Sequence, residues 1–122
     1  MYKRILVGSV IDEGKALLDE LRRHRVKVNE AIWLYKPESL EWRLNIVAPS
    51  VERKGYLALY EQIQNMLART GAKDLTVTDI ALISPQTSDY QNLRAAVSSS
   101  RFGSTTGDVP GVVFEDAFVY QL

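Results

Sequence analysis

The chain has 122 residues, 46% apolar and 25% charged, the composition of one ordinary globular domain rather than of a disordered, collagenous or membrane protein. Its 15 Lys and Arg balance 15 Asp and Glu, so no excess of charge is available for the phosphates of nucleic acid or for an anionic membrane. Cysteine is absent, which removes disulfides, thiolate nucleophiles and thiolate metal sites, and a single histidine removes any His-rich metal centre.

The charge is unevenly spread: residues 1–54 hold 11 Lys and Arg against 8 Asp and Glu, and residues 55–122 hold 4 against 7. No run reaches the ~18–20 apolar residues of a membrane span. The short apolar run at the start is followed at once by Asp12, Glu13 and Lys15, without the apolar core of a signal peptide, so a cytoplasmic address is expected. The expectation is one compact domain over residues 1–122.

Lys3–Val7 is β-branched and apolar, a short first strand. Ser9 with Asp12 three residues on matches a helix-capping pattern. A helix over about 10–24 follows, burying Val10, Ile11, Leu17, Leu18 and Leu21, with Gly14 able to admit a close neighbour. The basic run Arg22-Arg23-His24-Arg25-Val26-Lys27 closes it where the macrodipole favours cations.

Residues 29–36 and 40–48 then read as a β-hairpin carrying both tryptophans. Leu40, Trp42, Leu44 and Ile46 alternate with Glu41, Arg43 and Asn45, as in a strand with one buried face. Lys36-Pro37-Glu38-Ser39 supplies the turn, and two registers compete. A Pro37–Ser39 loop sets Leu34 opposite Trp42 and leaves Trp33 beside Arg43 on the outer side; a Lys36–Ser39 loop brings Trp33 and Tyr35 to the face of Trp42. The first is preferred because it pairs aliphatics with aromatics on one face and Arg43 with an indole on the other.

The spacing of Tyr56, Leu59, Tyr60, Ile63, Met66 and Leu67 predicts a helix over about 51–70, weakened at Gly55 and ended by Gly71. Residues 79–84 form an apolar strand closed by Pro85, and Ser88 with Gln91 opens a helix over about 88–97. Residues 98–111 are small, polar and glycine-rich, a flexible loop. Residues 112–120 are a strand, or two strands broken near Glu115-Asp116. Together these elements predict an α+β fold: a mostly antiparallel sheet of four to five strands built on the central hairpin, with three helices on one face.

Candidate sites are few. Met1–Ser9 resembles the first strand and turn of nucleotide-binding α/β proteins such as the universal stress proteins, but no second glycine cluster follows and a plain strand is the reading kept. Glu41-Trp42-Arg43 resembles the E-x-K element of restriction-type nucleases, which implies a metal-dependent nuclease using Glu41 with Asp116 or Glu115. Arg43 stands where that family has a lysine and cannot act as a neutral amine. His24 fits a helix end better than a catalytic triad.

Arg22, Arg23, Arg25, Lys27 and, in the glycine-rich loop, Arg101 are candidate contacts for an anion or nucleic acid, with Trp33 and Tyr35 as bases' stacking partners. The preferred function is a non-catalytic interaction or accessory domain. It docks a protein partner or forms a homodimer through an outer hairpin face of Trp33, Tyr35, Glu41 and Arg43, with neither cofactor nor metal.

Overall fold

The computed structural model describes residues 8–98, 111–113 and 116–122. The expected strand at 3–7, most of the expected loop at 98–111, Arg101 and Glu115 lie outside the described residues. In chain order the elements are helix α1 (Gly8–Arg23), strands β1 (Glu30–Lys36) and β2 (Glu41–Val47), helices α2 (Ser50–Lys54) and α3 (Tyr56–Thr70), strand β3 (Ile80–Ile83), helix α4 (Ser88–Ser98), and strands β4 (Gly111–Val113) and β5 (Ala117–Tyr120). The five strands form one sheet in the order β3-β2-β1-β5-β4.

The class is α+β. The sheet is mixed rather than antiparallel throughout, because β2 and β3 run parallel. A parallel return needs a crossover, and α2 with α3 supplies it. The helix expected over 51–70 is two helices, since Gly55 takes φ 84°, ψ 158°, a backbone conformation reserved for glycine. Ser9 is a helical residue rather than a cap, and its hydroxyl donates instead to Asp74 at 3.0 Å.

The hairpin register differs from both expected ones. Lys36 faces Glu41, Tyr35 faces Trp42, Trp33 faces Leu44 and Ala31 faces Ile46. Leu40 adopts φ 56° and so belongs to a four-residue loop rather than to the strand. The division of β2 into core and outer sides is as expected; that of β1 is the reverse of the preferred register and agrees with the four-residue-loop alternative, since a shift of one residue inverts every side chain.

Trp33 (2% exposed) and Tyr35 (7%) face inward, while Ile32 and Leu34 take the other side. The reversal has an energetic reason. Burying a Trp and a Tyr removes roughly 150–250 Å² each from water, more than Ile and Leu bring. The indole N–H of Trp33 also finds the hydroxyl of Tyr120 at 2.9 Å.

Both faces of the sheet are covered. Ala31, Trp33, Leu44, Ile46, Ile80, Leu82, Phe118 and Tyr120 share one core with Leu17 and Leu21 of α1 and Leu59, Ile63 and Met66 of α3. Ile32, Val47, Ile83 and Ala117 share a smaller one with Leu93 of α4. The helices therefore do not all lie on one face: α4 is opposite α1 and α3. Gly14 is packed against the Tyr120 hydroxyl, which leaves no room for a β-carbon, so the close neighbour is a side chain.

Candidate functional site: the outer face of the hairpin

The alternation of β1 and β2 sends Glu30, Ile32, Leu34 and Lys36, with their partners Val47, Asn45, Arg43 and Glu41, to the face of α4. The helix covers only part of it. Leu93 is the one buried residue of α4, and the helix is pinned over one end of β1 by Glu30, whose carboxylate accepts from the Tyr90 hydroxyl and from Arg94 at 2.6 Å. That carboxylate raises the pKa of Tyr90 above its ordinary value, with burial adding to the effect and Arg94 opposing it.

Toward the hairpin tip the face is open. An open groove of about 360 Å³ runs between α4 and the sheet, with Leu34, Ala81 and Leu93 as apolar floor and Lys36, Asp89 and Asn92 as polar rim. Asn45 lies under it, 4% exposed, its amide donating to the carbonyls of Ile32 at 3.3 Å and Arg43 at 3.1 Å. Beyond the groove Glu41 and Arg43 make one long contact, 3.5 Å, with side chains 51% and 36% exposed. At that length and exposure the pair adds little to stability, and both groups remain accessible.

Of the expected interaction residues, Glu41 and Arg43 do share the outer face. Trp33 and Tyr35 do not: they are in the opposite core, so they serve neither as docking groups nor as stacking partners for bases. Leu34, Lys36, Asn45, Asp89 and Asn92 take their place. The missed signal is in β1 itself: Ala31-Ile32-Trp33-Leu34-Tyr35 is a continuous apolar run, the mark of a strand covered on both faces.

Glu41 and Asp116 are not brought together. The Tyr35 N–H donates to the Asp116 carbonyl at 2.9 Å, so β1 stands between Asp116 and β2, and Asp116 is level with the core-facing Tyr35. Two strand spacings of about 4.8 Å separate the two backbones. Among the described residues no three His, Asp or Glu are grouped so as to hold a metal.

The basic run sits where α1 ends. Arg23 pairs with Glu20, and His24 lies 3.5 Å from Glu20 and 3.3 Å from Arg69. Arg22 and Lys27 join Lys15 around a cleft of about 180 Å³ floored by Leu18, Val26 and Val28, where Lys15 is held by Asp19 at 2.7 Å. Arg25 is exposed and takes φ 62°. This is a helix terminus at which Arg23 has an acidic partner.

No helix among the described residues is long and apolar enough to cross a membrane. Comparison of the chain with protein-family models, with curated proteins and with solved structures gives no match.

Proposed function

We propose that this chain is a non-catalytic accessory domain that pairs with a second copy of itself through the outer face of its hairpin and the groove beside α4. The observation that carries the reading is the uncovered pair of rows Leu34–Arg43 and Lys36–Glu41, an apolar floor rimmed by two cations and two anions once Asp89 is included. Such a rim is self-complementary: across a two-fold axis Lys36 and Arg43 of one copy meet Glu41 and Asp89 of the other. A formal net charge of zero sets no long-range repulsion against it.

Light scattering over a concentration series tests this. The expected mass at high concentration is twice the 13.8 kDa of one chain. Leu34→Glu and Arg43→Glu each weaken association tenfold or more, about 1.4 kcal/mol or above. Leu57→Ser, at a residue 73% exposed on α3, leaves it unchanged. A single-chain mass at every concentration, or a dimer indifferent to both outer-face variants, overturns the proposal. Capture of a different protein by the wild type but not by Leu34→Glu overturns self-pairing in favour of a heterologous partner.

A further inference from the structure

Asn45 is a buried amide with half of its hydrogen bonding unmet. The end of the side chain that faces the carbonyls of Ile32 and Arg43 must be the nitrogen, which donates to both, so the other end is Oδ1. That oxygen accepts no hydrogen bond among the described residues. The residue is only 4% exposed, yet Oδ1 is not sealed from solvent as the Ser50 hydroxyl is, and the surface it reaches is the groove that Asn45 lines beside α4. An acceptor left open in such a place calls for a donor.

The rest of the groove defines the donor. Asp89, exposed on the first turn of α4, has neither a hydrogen bond nor an ion pair on its carboxylate among the described residues. The floor is Leu34, Ala81 and Leu93. An occupant therefore brings N–H donors, positive charge and an apolar stem. A guanidinium meets all three demands: its planar fork of donors can serve an amide oxygen and a carboxylate together, and it is more weakly hydrated than an ammonium. Lys36, the one cation lining the groove, is exposed at the end of β1, where its flexible stem can swing clear.

We propose that this groove is a guanidinium receptor, with Asn45 Oδ1 and the Asp89 carboxylate as acceptors, and that its occupant is the Arg43 side chain of a second copy. The choice of Arg43 rests on the self-pairing proposed above; the receptor does not. Arg43 lies on the same face as Asn45, two residues along β2, and its contact with Glu41 is a long one of 3.5 Å. A two-fold axis passing between residues 43 and 45 sets Arg43 of each copy over Asn45 of the other.

Butylguanidinium tests the receptor in an NMR titration of Arg43→Ala, which lacks the competing side chain. Saturable shifts are expected at the Asn45 side-chain amide and the Leu93 methyls. Adding Asp89→Asn weakens this binding about tenfold or more, and 1-butanol, which has the stem without the charged donors, binds more weakly by a similar factor. The absence of such shifts, indifference to Asp89→Asn, or equal binding of 1-butanol overturns the receptor.

Charge exchange tests the occupant. Arg43→Glu and Asp89→Arg each weaken association about tenfold or more on their own, while an equimolar mixture of the two regains twice the single-chain mass. In the mixed pair one groove joins Arg43 to Asp89 and the other joins Glu to Arg, so both contacts are again between opposite charges. A mixture that stays at single-chain mass while the wild type pairs removes Arg43 as the occupant and leaves self-pairing standing. A wild type of single-chain mass at every concentration removes both, and the butylguanidinium titration then decides the receptor by itself.

Discussion

Two side chains occupy backbone positions that glycine fills more readily. After α1, the Arg25 N–H bonds the Arg22 carbonyl at 3.0 Å and the Val26 N–H bonds the Leu21 carbonyl at 2.8 Å, a helix stop whose left-handed residue is Arg25. In the hairpin loop the same conformation falls on Leu40. A left-handed L-residue costs roughly 1–2 kcal/mol, against a glycine entropy cost of about 0.5–1. Arg25→Gly and Leu40→Gly are each expected to raise stability by about 0.5–1 kcal/mol, read as a higher urea midpoint at unchanged slope.

Ser50 is a residue of a different kind, 2% exposed with no hydrogen-bond partner for its hydroxyl among the described residues. Ser50→Ala should stabilise by about 1 kcal/mol in the same assay. Tyr120 is the opposite case. Its hydroxyl accepts from Trp33 and donates to the Ile11 carbonyl at 2.8 Å, and burial holds its pKa far above that of an ordinary tyrosine. Tyr120→Phe strands the buried indole N–H and should cost roughly 1–3 kcal/mol.

At the scale of elements, α1 is tied to the turn after α3 by one carboxylate. Glu13 accepts from the N–H groups of Lys73, Asp74 and Leu75 at 2.9, 3.0 and 2.7 Å. Burial works to raise its pKa, but those three donors and the nearby Lys73 charge outweigh it and bring the value below the ordinary 4.5. A depressed folded value means that the contribution is fully present above about pH 4.5 and is lost as pH falls through the folded pKa. Urea titrations should therefore show Glu13→Gln less stable than wild type at pH 7, with the gap narrowing toward pH 3. A constant gap would show that the contact does not depend on the charge.

The helices were legible in the sequence because their apolar spacing survives in the structure: Leu59, Ile63, Met66 and Leu67 are the buried face of α3, and Gly71 ends it at φ 75°. The division of the last segment into two strands, β4 and β5, was legible too, as the second of two alternatives. The side of the sheet that each β1 residue faces was legible only in the second of the two registers, the four-residue loop that brings Trp33 and Tyr35 to the face of Trp42. Choosing it depended on α4 covering the far face, a tertiary fact with no local trace beyond the unbroken apolar run of β1. Since α4 buries only Leu93, its amides should exchange faster than those of α3 by native-state hydrogen exchange.

Across the molecule, two of the four residues expected on the outer face, Glu41 and Arg43, lie there. Glu41 and Arg43 are identifiable as outward because β2 alternates strictly, whereas Lys36 adjoins the turn-forming Pro37-Glu38-Ser39 and Asp89 and Asn92 lie on a helix whose position periodicity does not give. The strand order explains the remainder. β5 is inserted between β1 and β4, so the hairpin's inner strand is completed by the end of the described chain rather than by its neighbours in sequence.

This arrangement has a consequence for the chain as it is made. Trp33 and its hydrogen-bond partner Tyr120 are 87 residues apart. A ribosome adding 5–20 residues per second takes about 4–17 s to cover that interval, against microseconds for a hairpin to form. Throughout it β1 carries an open edge and an indole awaiting its acceptor, so the nascent protein, unlike the finished one, presents this apolar run to whatever else is in reach.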